Sequence, residues 1–127
     1  MAREAQIAIA GIGSIVPMAS SYFDLLASEA VPAQDWEQTI EATDAHGEIF
    51  AYVFNGAGEL CLQHYNDRVV GLNLQDMMNI PLRIGVAATP EKVRPIHGAL
   101  SGRYFNTLIT DEATAVSVLN LHEQTTG

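Results

Sequence analysis

Cysteine is almost absent from this chain of 127 residues, since Cys61 is the only one. A single cysteine cannot form a disulfide within the chain, nor can it supply a metal site built from several thiolates. Its apolar neighbours favour a small core residue over a nucleophile. The four histidines are scattered along the sequence without the short spacing of metal ligands. We therefore expect no metal and no cofactor.

Basic residues are also scarce, because six Lys and Arg stand against 15 Asp and Glu, a formal net charge of −9. A DNA-binding surface needs clustered cations to contact phosphates, and no such cluster forms here. Charged residues make up 17% of the chain, below the roughly 25% of an average globular protein. This deficit predicts a face that is covered by another subunit, or by further chain.

Long hydrophobic runs are missing as well. The most apolar stretch, residues 7–18, is interrupted by glycines and a proline, so it is not a membrane span. The chain also lacks the charged start, apolar stretch and cleavage site of a secretion signal, and we expect a cytoplasmic protein. Its length suits one domain with a sizeable core.

The pattern that is present alternates short apolar runs with helical segments. We predict strands at residues 7–10, 48–54, 82–87 and 105–109, with helices that begin at Pro90 and at Asp111. Further helical segments are predicted at residues 20–27, 33–42 and 74–79, and short strands at residues 60–62 and 69–72. Strands and helices in this order indicate an α/β fold, a Rossmann-like, mostly parallel sheet flanked by helices. Residues 48–54 are apolar on both sides, as a strand buried on both faces would be.

Ligands of such sheets bind outside the carboxyl ends of the strands, and two candidate groups follow strands here. Gly11, Gly13 and Ser14 form a glycine-containing loop after the first strand, whose N–H groups could approach a phosphate. A simple turn is an equally good interpretation of this loop.

Lys92 lies in the first turn of the helix that begins at Pro90. A cation is unfavourable at that end of a helix unless an anion lies between them, so the position indicates a phosphate contact. The alternative is a solvated surface lysine.

Two carboxylates have both a ligand-binding and a structural interpretation. Glu48 follows Gly47 and could accept hydrogen bonds from sugar hydroxyls, or it could form a structural ion pair. Asp111 is well placed as an N-cap, which we expect to be its main role.

The segment 91–115, EKVRPIHGALSGRYFNTLITDEATA, resembles the closing segment of the sugar-binding domain of SorC/DeoR-type bacterial transcriptional regulators. Upstream, AGIGS at residues 10–14, GEI at 47–49 and FN at 54–55 followed by glycines occur in the same order as in that family. The resemblance covers nearly the whole chain. It departs from the family at Ala88-Thr89, where two glycines are usual, and at residues 101–103.

The resemblance implies a fold like that of the sugar phosphate isomerase and CoA-transferase group. It also implies that residues 1–127 form the later portion of an effector domain that senses a phosphorylated sugar. Lys92 would contact the ligand, with Glu48 and Asn55 standing where the family usually has Asp. DNA would be contacted only through a helix-turn-helix that this chain lacks, and the protein would form homo-oligomers.

Two other functions remain open, a sugar phosphate isomerase-like enzyme and a dimerisation module without a ligand. An isomerase needs a positioned acid and base, yet Glu48, Asp111 and His97 each have a structural explanation. We therefore predict no catalytic residues and no enzyme activity.

Overall fold

The computed structural model describes residues 4–15, 38 and 40–126. The helix predicted at residues 20–27, and most of the one at 33–42, lie outside these residues. The described elements are β1 (Ile7–Gly11), β2 (Gly13–Ser14), β3 (Ala45–Ile49), β4 (Tyr52–Asn55), α1 (Gln63–Asn66), α2 (Leu74–Met78), β5 (Leu82–Val86), a 3-10 turn (Pro90–Lys92), α3 (Val93–Ser101), β6 (Thr107–Ile109) and α4 (Glu112–Thr126). None of the described helices is both long and apolar enough to cross a membrane.

Three of the predicted strands form one parallel sheet in the order β1-β5-β6. Ile9 pairs with Ile84, which in turn pairs with Thr107. The prediction that residues 105–109 run parallel to residues 82–87 is therefore confirmed, although β6 begins only at Thr107. The α/β class with a helix-flanked parallel sheet is confirmed too.

The strand predicted at residues 48–54 is wrong. Its residues belong to β3 and β4, which pair antiparallel in a second sheet of order β2-β3-β4. The chain turns at Phe50 and Ala51, whose φ angles of 47° and 68° are not those of a strand. Glu48 stabilises the turn, because its Oε2 accepts a hydrogen bond of 3.0 Å from the Ala51 N–H.

The two shorter strands predicted at residues 60–62 and 69–72 do not form. Leu60 forms only an isolated bridge with Phe54, and residues 69–72 form no strand. The helical turns predicted at residues 74–79 are confirmed as α2, which begins after Asn73, whose side chain caps the Gln75 N–H.

The larger of two hydrophobic clusters joins the two sheets, and the smaller one is formed by Ile15, Ala45 and Val53. Ile12 and Phe105 from the parallel side pack in the same cluster as Ile49 and Phe54 from the antiparallel sheet, with Ile96 of α3 between them. Helix α3 can lie this close because of Gly98, where a Cβ would come within 2.7 Å of the Asn55 carbonyl oxygen.

Within residues 4–15 and 40–126, nothing covers the other face of the parallel sheet. The register places five exposed apolar side chains on it, namely Ile7, Ile9, Leu82, Val86 and Ile109. The largest exposed fractions are 64% at Ile9 and 55% at Ile7. Parallel sheets are normally covered on both faces, so the structure leaves uncovered a surface that in such folds belongs to the interior. We call this surface the bare sheet face.

Helix α4 begins as predicted, because the Asp111 Oδ1 accepts a hydrogen bond of 2.7 Å from the Thr114 N–H. This bond lowers the pKa of Asp111 below its ordinary value of 3.8. Thr114 in turn accepts a bond from the Thr89 N–H, which ties the loop after β5 to the start of α4. The capping role expected for Asp111 is confirmed.

We predict that replacing Asp111 by Ala lowers the free energy of unfolding at neutral pH, since the cap is lost. A carboxyl group whose pKa is lowered by folding stabilises the fold above that pKa, and this contribution disappears as the pH falls through it. The advantage of the native protein over Asp111→Ala should therefore shrink below pH 3.8.

The matched variant is Asp111→Asn, which keeps a capping oxygen but cannot titrate. Urea unfolding from about pH 6 to about pH 2 checks both variants. An advantage over Asp111→Ala that stays constant across this range would contradict the assignment of the cap.

Candidate functional site

A groove with a volume of about 610 Å³ opens at the carboxyl ends of β1 and β5. Its lining residues come from three places. These are the end of β1 with the residues that follow it, the end of β3 with the turn after it, and the end of β5 with the segment after it. They are Ile9, Ala10, Gly11, Ile12, Gly13, Glu48, Phe50, Val86, Ala87 and Lys92. We call it the loop groove. Four of the six residues predicted to bind ligand therefore line one concave surface.

Lys92 reaches across this groove. It ends the 3-10 turn before α3, and its Nζ donates a hydrogen bond of 3.0 Å to the Ile12 carbonyl oxygen. The ammonium is half-buried, and no ion pair of the described residues involves it. It thus places a positive charge directly on the loop between Gly11 and Gly13.

At the N-terminus of this 3-10 turn, one backbone N–H group already has a hydrogen-bond acceptor within the chain. The Glu91 carboxylate turns back to its own N–H and to the Thr89 hydroxyl, and both interactions lower the pKa of Glu91. An anion in the loop groove would consequently depend on Lys92 and on the loop N–H groups more than on the first N–H of this turn.

Glu48 lies over Gly13, on the floor of the loop groove. A Cβ at Gly13 would overlap the Glu48 carboxylate, so only glycine allows the side chain to lie there. Because Oε2 is bound to the Ala51 N–H, the carboxylate has a structural role. Oε1 lies against Gly13.

Ser14 and Asn55 lie outside the loop groove. Ser14 is fully buried and pairs with Gly47, and its hydroxyl has no hydrogen-bond partner within the described structure. Asn55 ends β4, and its Oδ1 accepts bonds of 3.0 Å from the Ala57 N–H and 2.9 Å from the Glu59 N–H. The contacts of Asn55 are those of a turn residue.

Apolar lining residues were not predicted. Phe50 and Val86 stand at the rim of the groove, each 41% exposed. Phe50 was assigned to the strand predicted at residues 48–54, and Val86 to the strand predicted at residues 82–87. Phe50 could have been predicted as a lining residue only if the turn after Glu48 had been recognised in the sequence.

Catalytic and metal chemistry find little support in the described residues. No group of three His, Cys, Asp or Glu side chains among them is placed to hold a metal ion. Burial, with a contribution from the charge of Asp44, raises the pKa of the Cys61 thiol to about 11. This thiol is therefore protonated at neutral pH and a poor nucleophile.

Comparisons with known proteins agree with this architecture. Residues 1–120 match the model of the family described as "Putative sugar-binding domain". The chain is 33% identical over 124 residues to the deoxyribonucleoside regulator of Bacillus subtilis, an alignment that covers 94% of this chain and 36% of the relative.

Two solved structures are similar in fold. A transcriptional regulator from Streptococcus pneumoniae superimposes with a TM-score of 0.80 and 25% identity, over 96% of this chain and 45% of that one. The full-length sorbitol operon regulator SorC from Klebsiella pneumoniae gives a TM-score of 0.75 and 24% identity, over 92% of this chain and 36% of that one.

The parallel sheet, with a groove at the carboxyl ends of its strands, defines an α/β domain of the ligand-binding type. The chain belongs to the sugar-binding domain family of SorC/DeoR-type transcriptional regulators, which confirms the resemblance seen in the sequence. It spans about a third of the length of the curated relatives that it matches.

Proposed function

We propose that this chain is the effector-binding part of a bacterial transcriptional regulator, and that its loop groove binds a phosphorylated sugar. The observation that carries the proposal is the convergence of Lys92 with the loop from Gly11 to Gly13 in one groove at the carboxyl ends of β1 and β5. A cation beside a glycine-containing backbone loop at that edge is suited to a phosphate.

The groove suggests how the ligand would lie. The phosphate would replace the Ile12 carbonyl oxygen as the partner of the Lys92 ammonium, since an anion is the stronger acceptor. Glu48 would then face the sugar hydroxyls, because a carboxylate accepts from hydroxyls and repels a phosphate. The rim residues Phe50 and Val86 would contact the carbon atoms of the sugar.

An enzyme is the less favoured alternative. An isomerase would need an acid and a base that both reach the substrate, and Glu48 and Lys92 are the only titratable groups among the described lining residues. Asp111 caps α4, and His97 lies outside the loop groove. The relatives found are named as regulators.

The other functions of such a regulator are assigned to parts of the regulator outside this chain. We propose that residues 1–127 correspond to the later portion of the effector domain, and that DNA is contacted by a helix-turn-helix elsewhere in the regulator. The formal charge of −9 with six basic residues supports this division, because the present chain has too few cations for a phosphate-contacting surface.

We predict that phosphorylated pentoses or hexoses raise the melting temperature of the chain, and that Lys92→Ala abolishes this shift. A lost charge-assisted hydrogen bond of roughly 1.5–3 kcal/mol weakens binding about tenfold or more. Thermal shift with the phosphorylated and the unphosphorylated sugars, side by side, measures the effect.

Two further variants separate the causes. Lys92→Gln keeps a donor for the Ile12 carbonyl oxygen but removes the charge, so it should lose the ligand effect while retaining stability. Arg103→Ala removes an exposed cation outside the loop groove and should leave the shift unchanged. A Lys92→Ala chain that keeps its full shift would refute the assignment of the groove.

We also propose that the chain self-associates, with a second copy covering the bare sheet face. Its contiguous exposed side chains form the type of apolar surface that marks protein contacts. Strand β1 adds an open edge, since β5 is its only partner among the described strands.

We predict that Ile7→Lys shifts the chain towards the monomer, because a charge on that face is costly to bury. Val70→Lys is the matched control, since Val70 is an apolar residue with 99% exposure in a loop. Sedimentation velocity of the native chain and both variants decides. A native chain that remains monomeric at its highest soluble concentration would count against this proposal.

A further inference from the structure

Three of the four histidines in the chain meet in a second cleft, with a volume of about 510 Å³. His46 comes from β3, His97 from α3 and His122 from α4. Arg94 and Asp44 also line this cleft. No residue of the loop groove is among its lining residues, so the two are separate. We call it the histidine cleft.

Hydrogen bonds orient two of the imidazoles. His46 Nε2 lies 3.1 Å from the Asp44 Oδ1. His97 Nδ1 lies 3.3 Å from the Gly56 carbonyl oxygen, and its Nε2 lies 3.4 Å from the Thr125 Oγ1. The rings of His97 and His122 are stacked at a tilt, with centroids 5.6 Å apart. These contacts hold the rings on the wall of the cleft.

The partners of His97 can satisfy two protons on its ring. A carbonyl oxygen only accepts, so Nδ1 carries a hydrogen. The single hydroxyl hydrogen of Thr125 has two acceptors at 3.0 Å, the carbonyl oxygens of Leu121 and His122. A hydroxyl group both donates and accepts, so Thr125 Oγ1 can pair with Nε2 whether or not that nitrogen carries a hydrogen.

The charge of the cleft is set by how many of its three imidazoles are protonated. With the three imidazoles neutral, the charges of Arg94 and Asp44 cancel; with all three protonated, the cleft carries a formal charge of +3. Histidine changes its charge between about pH 5 and pH 8. No other charged group is among the described lining residues of the cleft. Because the chain as a whole is acidic, a positive cleft would be opposite in sign to the net charge of the molecule.

We propose that the histidine cleft is a second binding site, for the phosphate or carboxylate group of a small molecule, which fills as the pH falls below neutrality. The Arg94 guanidinium would pair with the anion. The His122 ring would add a donor, since both ring nitrogens of His97 already have partners. The Ser101 hydroxyl, which also lines the cleft, is available to the remainder of the ligand. This inference does not depend on the function proposed for the loop groove.

The test is an NMR titration of the histidine ring protons of the whole chain. Sulfate and acetate serve as probes of the two chemical groups, because both keep their charge between about pH 6 and pH 8. Ionic strength is held constant with chloride. We expect saturable shifts of the His97 and His122 resonances, with affinity about tenfold weaker at about pH 8 than at about pH 6. The stronger of the two probes identifies the group that is bound.

Variants distinguish the two sites. Arg94→Gln should weaken binding about tenfold, and His122→Gln, at an exposed position, should reduce its pH dependence. Lys92→Ala should leave the titration unchanged, so failure of the loop groove does not affect the result. The proposal is overturned by shifts that grow linearly without saturation, by equal affinity at both pH values, or by loss of binding in Lys92→Ala.

Discussion

The crossing of the chain from one sheet to the other at Ile12 is the constraint on which the rest of this structure depends. Gly11 is the last residue of the parallel sheet, paired with Val86, and Gly13 is the first of the antiparallel sheet, paired with Glu48. Ile12 is 3% exposed between them, and Lys92 binds its carbonyl oxygen. Because the sheets diverge at this point, the loop groove opens there, with backbone at its floor and Lys92 at its wall.

The elements predicted correctly from the sequence follow local rules. Pro90 and Asp111 mark helix starts because their backbone and side-chain chemistry act within one turn. The error at residues 48–54 has a different origin. The bond from the Ala51 N–H to Glu48 turns the chain in the middle of an apolar run, and a pattern of hydrophobic residues carries no information on such a bond. In the sequence, two hairpin strands that pack in one core give the same apolar run as one strand buried on both faces.

The candidate site likewise contains residues that local rules predict and residues that only the folded structure brings together. Lys92 and the loop glycines were expected together because the carboxyl ends of parallel strands meet at one edge. Glu48 was added to them as an acceptor for sugar hydroxyls and through the family resemblance. Asn55 could not be separated from them, since its turn contacts appear only when the hairpin is formed. The histidine cleft was invisible, because its three rings lie on β3, α3 and α4 and meet only through the packing of these elements.

The loop groove and the bare sheet face share residues, so the proposed ligand binding and the proposed self-association would be linked. Ile9 and Val86 line the groove and also lie on the exposed face. Any partner that covers the face over these two side chains also narrows the groove beside them. A ligand that contacts them changes the surface that the partner meets. By thermodynamic linkage, a ligand that favours the covered form must itself bind more tightly to that form. The proposed effector sensing would use such a coupling, and it would require no long pathway, because two adjacent strands carry both surfaces.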